Sequence, residues 1–292
     1  IILLVFLTLT RFGFGQQVPE AADYFDYHSK INQAENHLAN ARYPEALLTY
    51  EAVFASFDFV FCRDYKIAAQ VSTYLNKNQE AALMVEKALS AGWELKDAKK
   101  LNSLEGLWQG PDGQSLEKSY DSLRAAYLNR LDNETRETVH RMFKKDQKKA
   151  MGALLRIGDK AQENYAVKKF APHSEQQLEE LKEILLSRGY PGERRIGNDF
   201  WASTILSHHN SISREYNTRD TLYRNLRPLL WKALRAGQHS PYEFALIEDW
   251  KIATTSGRQD PGYGFLNPPA AATLHATDSL REAIGLRTVA LR

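Results

Sequence analysis

The chain has almost no cysteine: Cys62 stands alone among 292 residues. No disulfide can form within it, so the fold must hold by its core. Cys62 follows Val60-Phe61 and opens a helical run, and it reads as a packing residue rather than a nucleophile. Excess charge of one sign is also missing, with 38 Lys and Arg against 36 Asp and Glu. A chain this balanced has no global attraction to nucleic acid or to an anionic surface, and no nucleic-acid partner is expected. There is no His-Glu-x-x-His run, no Cys pair and no Asp-rich calcium loop, so no metal site is expected. A Gly-x-Ser-x-Gly elbow and a phosphate loop are absent too, and no cofactor is expected.

Long apolar runs are confined to the N-terminus, where Ile1 to Leu7 is too short to span a bilayer and long enough for a signal-peptide core. Gly13 and Gly15 supply small residues at the positions a signal peptidase reads. The expectation is a leader over residues 1–15, cleaved after Gly15, and a soluble mature protein that is periplasmic or secreted. Cleavage removes only Arg11 from the charges, leaving 37 basic against 36 acidic residues. No cysteine adjoins the cut and nothing later is apolar enough to span, so no membrane anchor is expected.

What is present is a globular composition, 43% hydrophobic and 25% charged. Residues 21–104 read as helices in a repeated pattern. Tyr43-Pro44-Glu45-Ala46-Leu47 and Asn78-Gln79-Glu80-Ala81-Ala82 each open a second helix. Ala46 and Ala81 are 35 residues apart, as are Val53 and Ala88. That spacing is close to the ~34-residue period of tetratricopeptide hairpins. The small residues would let helices approach, with Tyr50, Phe54, Val85 and Leu89 filling the gaps, and a third helix is expected near 97–104. Residues 16–110 thus resemble a degenerate tetratricopeptide pair, too short to stand as a free solenoid. A groove for a protein or peptide partner on this helical front would have to use Asn32, Asn36, Arg63 and Lys66. The simpler role is a platform for the rest of the chain.

Gly106, Gly110-Pro111-Asp112-Gly113 and Ser115 cluster turn-formers and mark a boundary, after which residues 111–292 form a second helical domain. Leu116, Tyr120, Leu123, Tyr127 and Leu131 share one helix face. Asp132-Asn133 caps a helix bearing Val139, Met142 and Phe143. The Lys144-Lys145-Asp146-Gln147-Lys148-Lys149 run reads as a solvated helix face. Ser174-Glu175 starts a further helix that stops at Gly189. Residues 254–269, with three Gly and three Pro beyond Ser256, form a long loop that is either a roof over a pocket or a strap.

The rear half carries a series of short motifs: Ile184 to Pro191 with its Gly189-Tyr190-Pro191 turn, Gly197, Ile205-Leu206-Ser207-His208, Ala245 to Asp249, and Tyr263-Gly264. In that order they resemble a family of bacterial domains of unknown function. Its members show a Gly-Trp-Pro-like turn, a Gly, a Gln-His step, an Asp-Arg pair and a Gln-x-Tyr-Gly turn, often behind an export signal. The likeness covers about residues 120–292, with Arg281 and Gly285-Leu286 near its end, and it implies no established activity. Tyr190 replaces Trp, Trp250 and Ala150 stand where Arg is usual, and Gln259 lies four residues before Tyr263 instead of two.

The chemistry-bearing candidates follow from these motifs. His208 and His209 are adjacent on a helix and point about 100 degrees apart, so they cannot grip one ligand together. One of them, oriented by an Asp, could move protons at neutral pH. The pair expected is His208 with Asp249, with Tyr263 as hydroxyl donor and Arg281 as anion partner; His209, Glu248 and Gln259 are the ligand-binding candidates. A buried histidine satisfied by a structural carboxylate is the bland alternative. With no complete catalytic motif, the sequence favours an all-α interaction or scaffold protein of the cell envelope. A hydrolase-type enzyme using His208 as acid/base is the alternative.

Overall fold

The computed structural model describes residues 23–256 and 260–289. The expected leader and Gln259 lie outside the described residues. Among those described, the chain is all α-helical with no strand.

The front is built from two hairpins, α1 (Tyr24–Ala39) with α2 (Tyr43–Ser56) and α3 (Cys62–Tyr74) with α4 (Asn78–Ser90). Each is closed by a three-residue turn, which leaves no choice but antiparallel packing. Ala34, Ala46, Ala69, Ala81 and Ala88 are fully buried between the helices. Their small side chains allow close approach, and Tyr50, Val85 and Leu89 fill the remaining space. The 35-residue spacing of small residues thus does correspond to paired hairpins. The Cys62 Sγ is buried beside the Ala88 carbonyl, 3.5 Å away, and burial pushes its thiol up to about 12.

The third helix of the front is broken into α5 (Leu95–Ala98), a 3-10 turn over Asn102–Leu104, and α6 (Glu105–Gln109). The Gly-Pro cluster separates α6 from α7 (Pro111–Arg130) and starts the latter, because Pro at a first helical position arrives with its φ already set. Gly113 sits inside that first turn, where a Cβ would lie 2.4 Å from the Leu107 carbonyl oxygen. α7 packs on α4, and its Leu116 shares the front's core.

The rear contains α8 (Asn133–Leu154), α9 (Asp159–Tyr165), a π-helical turn over Ala166–Phe170, α10 (Ala171–Arg188), α11 (Glu193–Ile196), α12 (Trp201–Asn210), α13 (Arg214–Arg219), α14 (Leu222–Arg235), α15 (Pro241–Ser256) and α16 (Leu274–Glu282). Asp132 caps α8 by accepting from the Thr135 N–H at 3.0 Å. α10 begins three residues before Ser174, because the π-helical turn runs into it without a break, and it ends at Gly189 with φ 84°. Tyr223, Leu226, Leu230 and Leu234 line the buried stripe of α14, and Phe244, Ala245 and Ile247 that of α15. α12 is sandwiched between α8, α10 and α15, which places its two histidines at the centre of the rear.

Front and rear press together along α1. The Tyr24 ring covers Gly237, and the His28 backbone and Cβ cover Gly285; a Cβ on either glycine would lie 2.5 Å or less from those atoms. The Asn198 amide donates to the Ala91 carbonyl at 2.8 Å, and the Cys62 N–H donates to Glu193 at 2.6 Å. The front is therefore one wall of the whole assembly. No helix among the described residues is long and apolar enough to cross a membrane.

Candidate functional site

The two histidines of α12 diverge as helical geometry requires, and each finds a different carboxylate. His208 Nδ1 lies 2.5 Å from Oδ2 of Asp146 on α8. Asp146 has no exposed surface, whereas the His208 side chain is 28% exposed. His209 is fully buried, with Nδ1 2.9 Å from the Ser174 hydroxyl and Nε2 3.3 Å from Oδ2 of Asp220. Burial alone would raise the Asp220 carboxyl, but the contact with His209 and the charge of Lys251 hold it down at about 2. Lys251 in turn lies 3.3 Å from Asp220 and donates to the Asn217 carbonyl. His209 is thereby a tied core residue, and His208 is the histidine with a face to solvent.

Asp249 is not the partner of His208. Its two oxygens accept the backbone N–H groups of Tyr263 (2.5 Å), Phe265 (2.7 Å) and Leu266 (3.1 Å). Those three donors belong to a Gly/Pro-rich loop that cannot satisfy them with helical bonds of its own. Arg281, fully buried on α16, donates to the carbonyls of Tyr263 at 2.8 Å and Arg287 at 2.6 Å, and its guanidinium lies 4.8 Å from the centre of the Phe265 ring. Tyr263 packs edge-on against Phe244 of α15. Asp249, Tyr263 and Arg281 are therefore brought together as the fastening of the loop, which straps α15 to α16. Beside Asp249 the same loop encloses a polar cavity of about 260 Å³ that reaches Thr277. Glu248 accepts from the Tyr223 hydroxyl (2.5 Å) and from Arg227 Nε (2.8 Å), and reads as a structural acceptor.

Sequence reasoning missed Asp146, because it sits among four lysines. The signal was present in the helix period: Val139, Met142 and Asp146 fall at three- and four-residue steps, and all are buried while the lysines are exposed. The solvated-face reading holds for Lys144, Lys145, Lys148 and Lys149 and fails for the Asp between them.

A second group escaped notice because its members come from both halves. A cavity of about 130 Å³ lies between them, lined by His28, Glu35 and Asp64 of the front and by Glu193 and Glu243 of the rear. Arg63 pairs with Glu35 and Asp64 and lies over the Tyr242 ring, and Arg287 reaches Glu35 at 3.4 Å. Among the described residues Glu193 and Glu243 make no ion pair, though the more distant Lys66 charge and the Cys62 N–H partly offset the burial of Glu193. Burial pushes Glu193 up to about 8 and Glu243 up to about 7, and it drives His28 down to about 3. Of the four groove candidates on the front, Arg63 is engaged here, Asn32 lines the cavity, and Lys66 lies over Trp93.

No group of three His, Cys, Asp or Glu among the described residues is arranged to hold a metal ion. Compared with protein-family models, curated proteins and solved structures, the chain matches none. The described residues form an all-helical fold with paired hairpins and a histidine–aspartate pair half open to solvent.

Proposed function

We propose that this chain is an exported enzyme of hydrolase type in which His208 is the acid/base and Asp146 orients it. The observation that carries the reading is the contrast within the pair, a carboxylate with no exposed surface held 2.5 Å from Nδ1 of a ring that is 28% exposed. An ionised Asp146 accepts the Nδ1–H, which fixes the tautomer and leaves the Nε2 lone pair for a proton. When Nε2 takes a proton from water or a hydroxyl group, Asp146 stabilises the imidazolium that forms. The apolar run of Ile1 to Leu7, read as the core of a leader, supports a place outside the cytoplasm. An interaction or scaffold protein of the cell envelope is the second reading, favoured by the exposed Leu48, Tyr74 and Leu83 on the front.

The test pairs a chemical readout with a spectroscopic one. Long-range ¹H–¹⁵N spectra of the imidazoles should show His208 protonated at Nδ1 in the parent, and that preference should be lost in Asp146→Asn. A screen of ester, amide, phosphoester and glycoside substrates should reveal a turnover lowered 10²-fold or more by His208→Ala. An Nε2–H tautomer in the parent, or turnover indifferent to His208→Ala, refutes the assignment and leaves the scaffold reading.

A further inference from the structure

The charge of this chain is balanced overall but not evenly spread. Between residues 144 and 169 it exposes eight basic side chains against two acids, Asp159 and Glu163. The third acid of that stretch, Asp146, is buried against His208. Lys144, Lys145, Lys148 and Lys149 leave the second half of α8, Arg156 and Lys160 flank the turn into α9, and Lys168 and Lys169 come from the returning π-helical turn. α8, α9 and that turn pack on one another, and the Tyr165 hydroxyl sits directly against Gly152, so the segment is a folded hairpin.

The hairpin also carries exposed apolar side chains, and they are gathered at its tip. Ile157 is 98% exposed, Leu155 75% and Met151 53%, and Val167 is 41% exposed on the returning π-helical turn. Three of these four fall within seven residues at the tip. Contiguous exposed hydrophobes ringed by lysine and arginine match one kind of surface: apolar side chains enter the acyl boundary while the cations meet anionic headgroups. Nucleic acid would use the cations and leave Ile157 and Leu155 in water. A second copy of this chain would bring two strongly positive surfaces together.

We propose that the α8–α9 hairpin is a docking site for an anionic lipid bilayer, with Leu155 and Ile157 inserting and the surrounding lysines and arginines binding lipid phosphates. Docking of this kind needs no spanning helix. Docking is read by vesicle binding and not by turnover, which keeps it separate from the role of His208, whose partner Asp146 lies among the same lysines.

The experiment is sedimentation of the protein with vesicles of phosphatidylcholine containing 30% phosphatidylglycerol, and with phosphatidylcholine alone, at low and at physiological salt. Binding is expected to the anionic vesicles only and to weaken as salt rises. Lys148→Gln and Lys168→Gln should each lower partitioning about fivefold. Leu155→Ser with Ile157→Ser should lower it at least tenfold, with an unchanged melting midpoint because both residues are exposed. Failure of the parent to sediment with anionic vesicles at low salt overturns the proposal. Binding indifferent to the double Ser variant overturns it as well, since attraction of charge alone would then account for it. So does a dimer in the ultracentrifuge that the double Ser variant dissociates, for the tip would then be a contact between copies.

Discussion

Replacing Glu243 by Gln should change how the stability of this protein responds to pH. Glu243 is only 8% exposed, at the cavity between front and rear, and the Tyr190 hydroxyl donates to it at 3.2 Å. Ser203 and the second buried carboxyl, Glu193, also face it. Burial raises its carboxyl from 4.5 to about 7, which corresponds to about 3 kcal/mol between the neutral and ionised forms. Because the folded value lies above the unfolded one, this stabilisation is fully present below pH 4.5 and is lost as pH rises through 7. Gln keeps the shape and cannot ionise. Parent and Glu243→Gln should therefore melt nearly together at pH 4.5 and separate by pH 8.5, with the variant higher by about 6 °C at roughly 2 °C per kcal/mol. Glu193 titrates in both proteins, and because the Glu243 charge also raises it, the difference between the curves reports Glu243 together with its effect on Glu193. Scanning calorimetry at half-unit steps of pH provides the assay. Parallel curves across the range would refute the burial of an uncompensated carboxyl here.

The loop and the joint offer two further predictions. Asp249→Ala removes the acceptor of three backbone N–H groups and should cost about 2–4 kcal/mol in urea unfolding, with new protease cleavage within residues 260–270; an unchanged midpoint would show that the loop does not depend on this carboxylate. Gly285→Ala places a Cβ 2.4 Å from the His28 Cβ at a backbone φ of 76°, and should cost about 2 kcal/mol or more by forcing α1 away from the rear. A variant as stable as the parent would mean that α1 is free to shift.

How much was legible depends on how local the cause is. The two hairpins of the front were readable because Ala46 and Ala81 open second helices at one spacing and small residues recur where helices touch. The Asp132 cap and the Gly189 stop were readable for the same reason, since each acts within a few residues. The Gly110-Pro111 step was readable as a break between helices, since Gly closes one and Pro suits the first position of the next. The site was half legible. His208 was marked by its helix position, but its carboxylate lies 62 residues away on another helix, and a run of lysines concealed it. Asp249, Tyr263 and Arg281, expected beside His208, meet one another without it and fasten a loop.

The amino-acid order alone determined the all-helical class, the paired hairpins, the divergence of the two histidines and the run of exposed lysines over residues 144–149, because periodicity, capping and composition act over one or two helical turns. Tertiary structure decided which acid each histidine meets, that Asp249 serves backbone amides, and that Glu193 and Glu243 share a cavity with His28 across the joint. Those outcomes depend on which helix faces pack together, and on burial, which gives a carboxylate a different chemistry according to whether a cation, an amide or only apolar wall surrounds it.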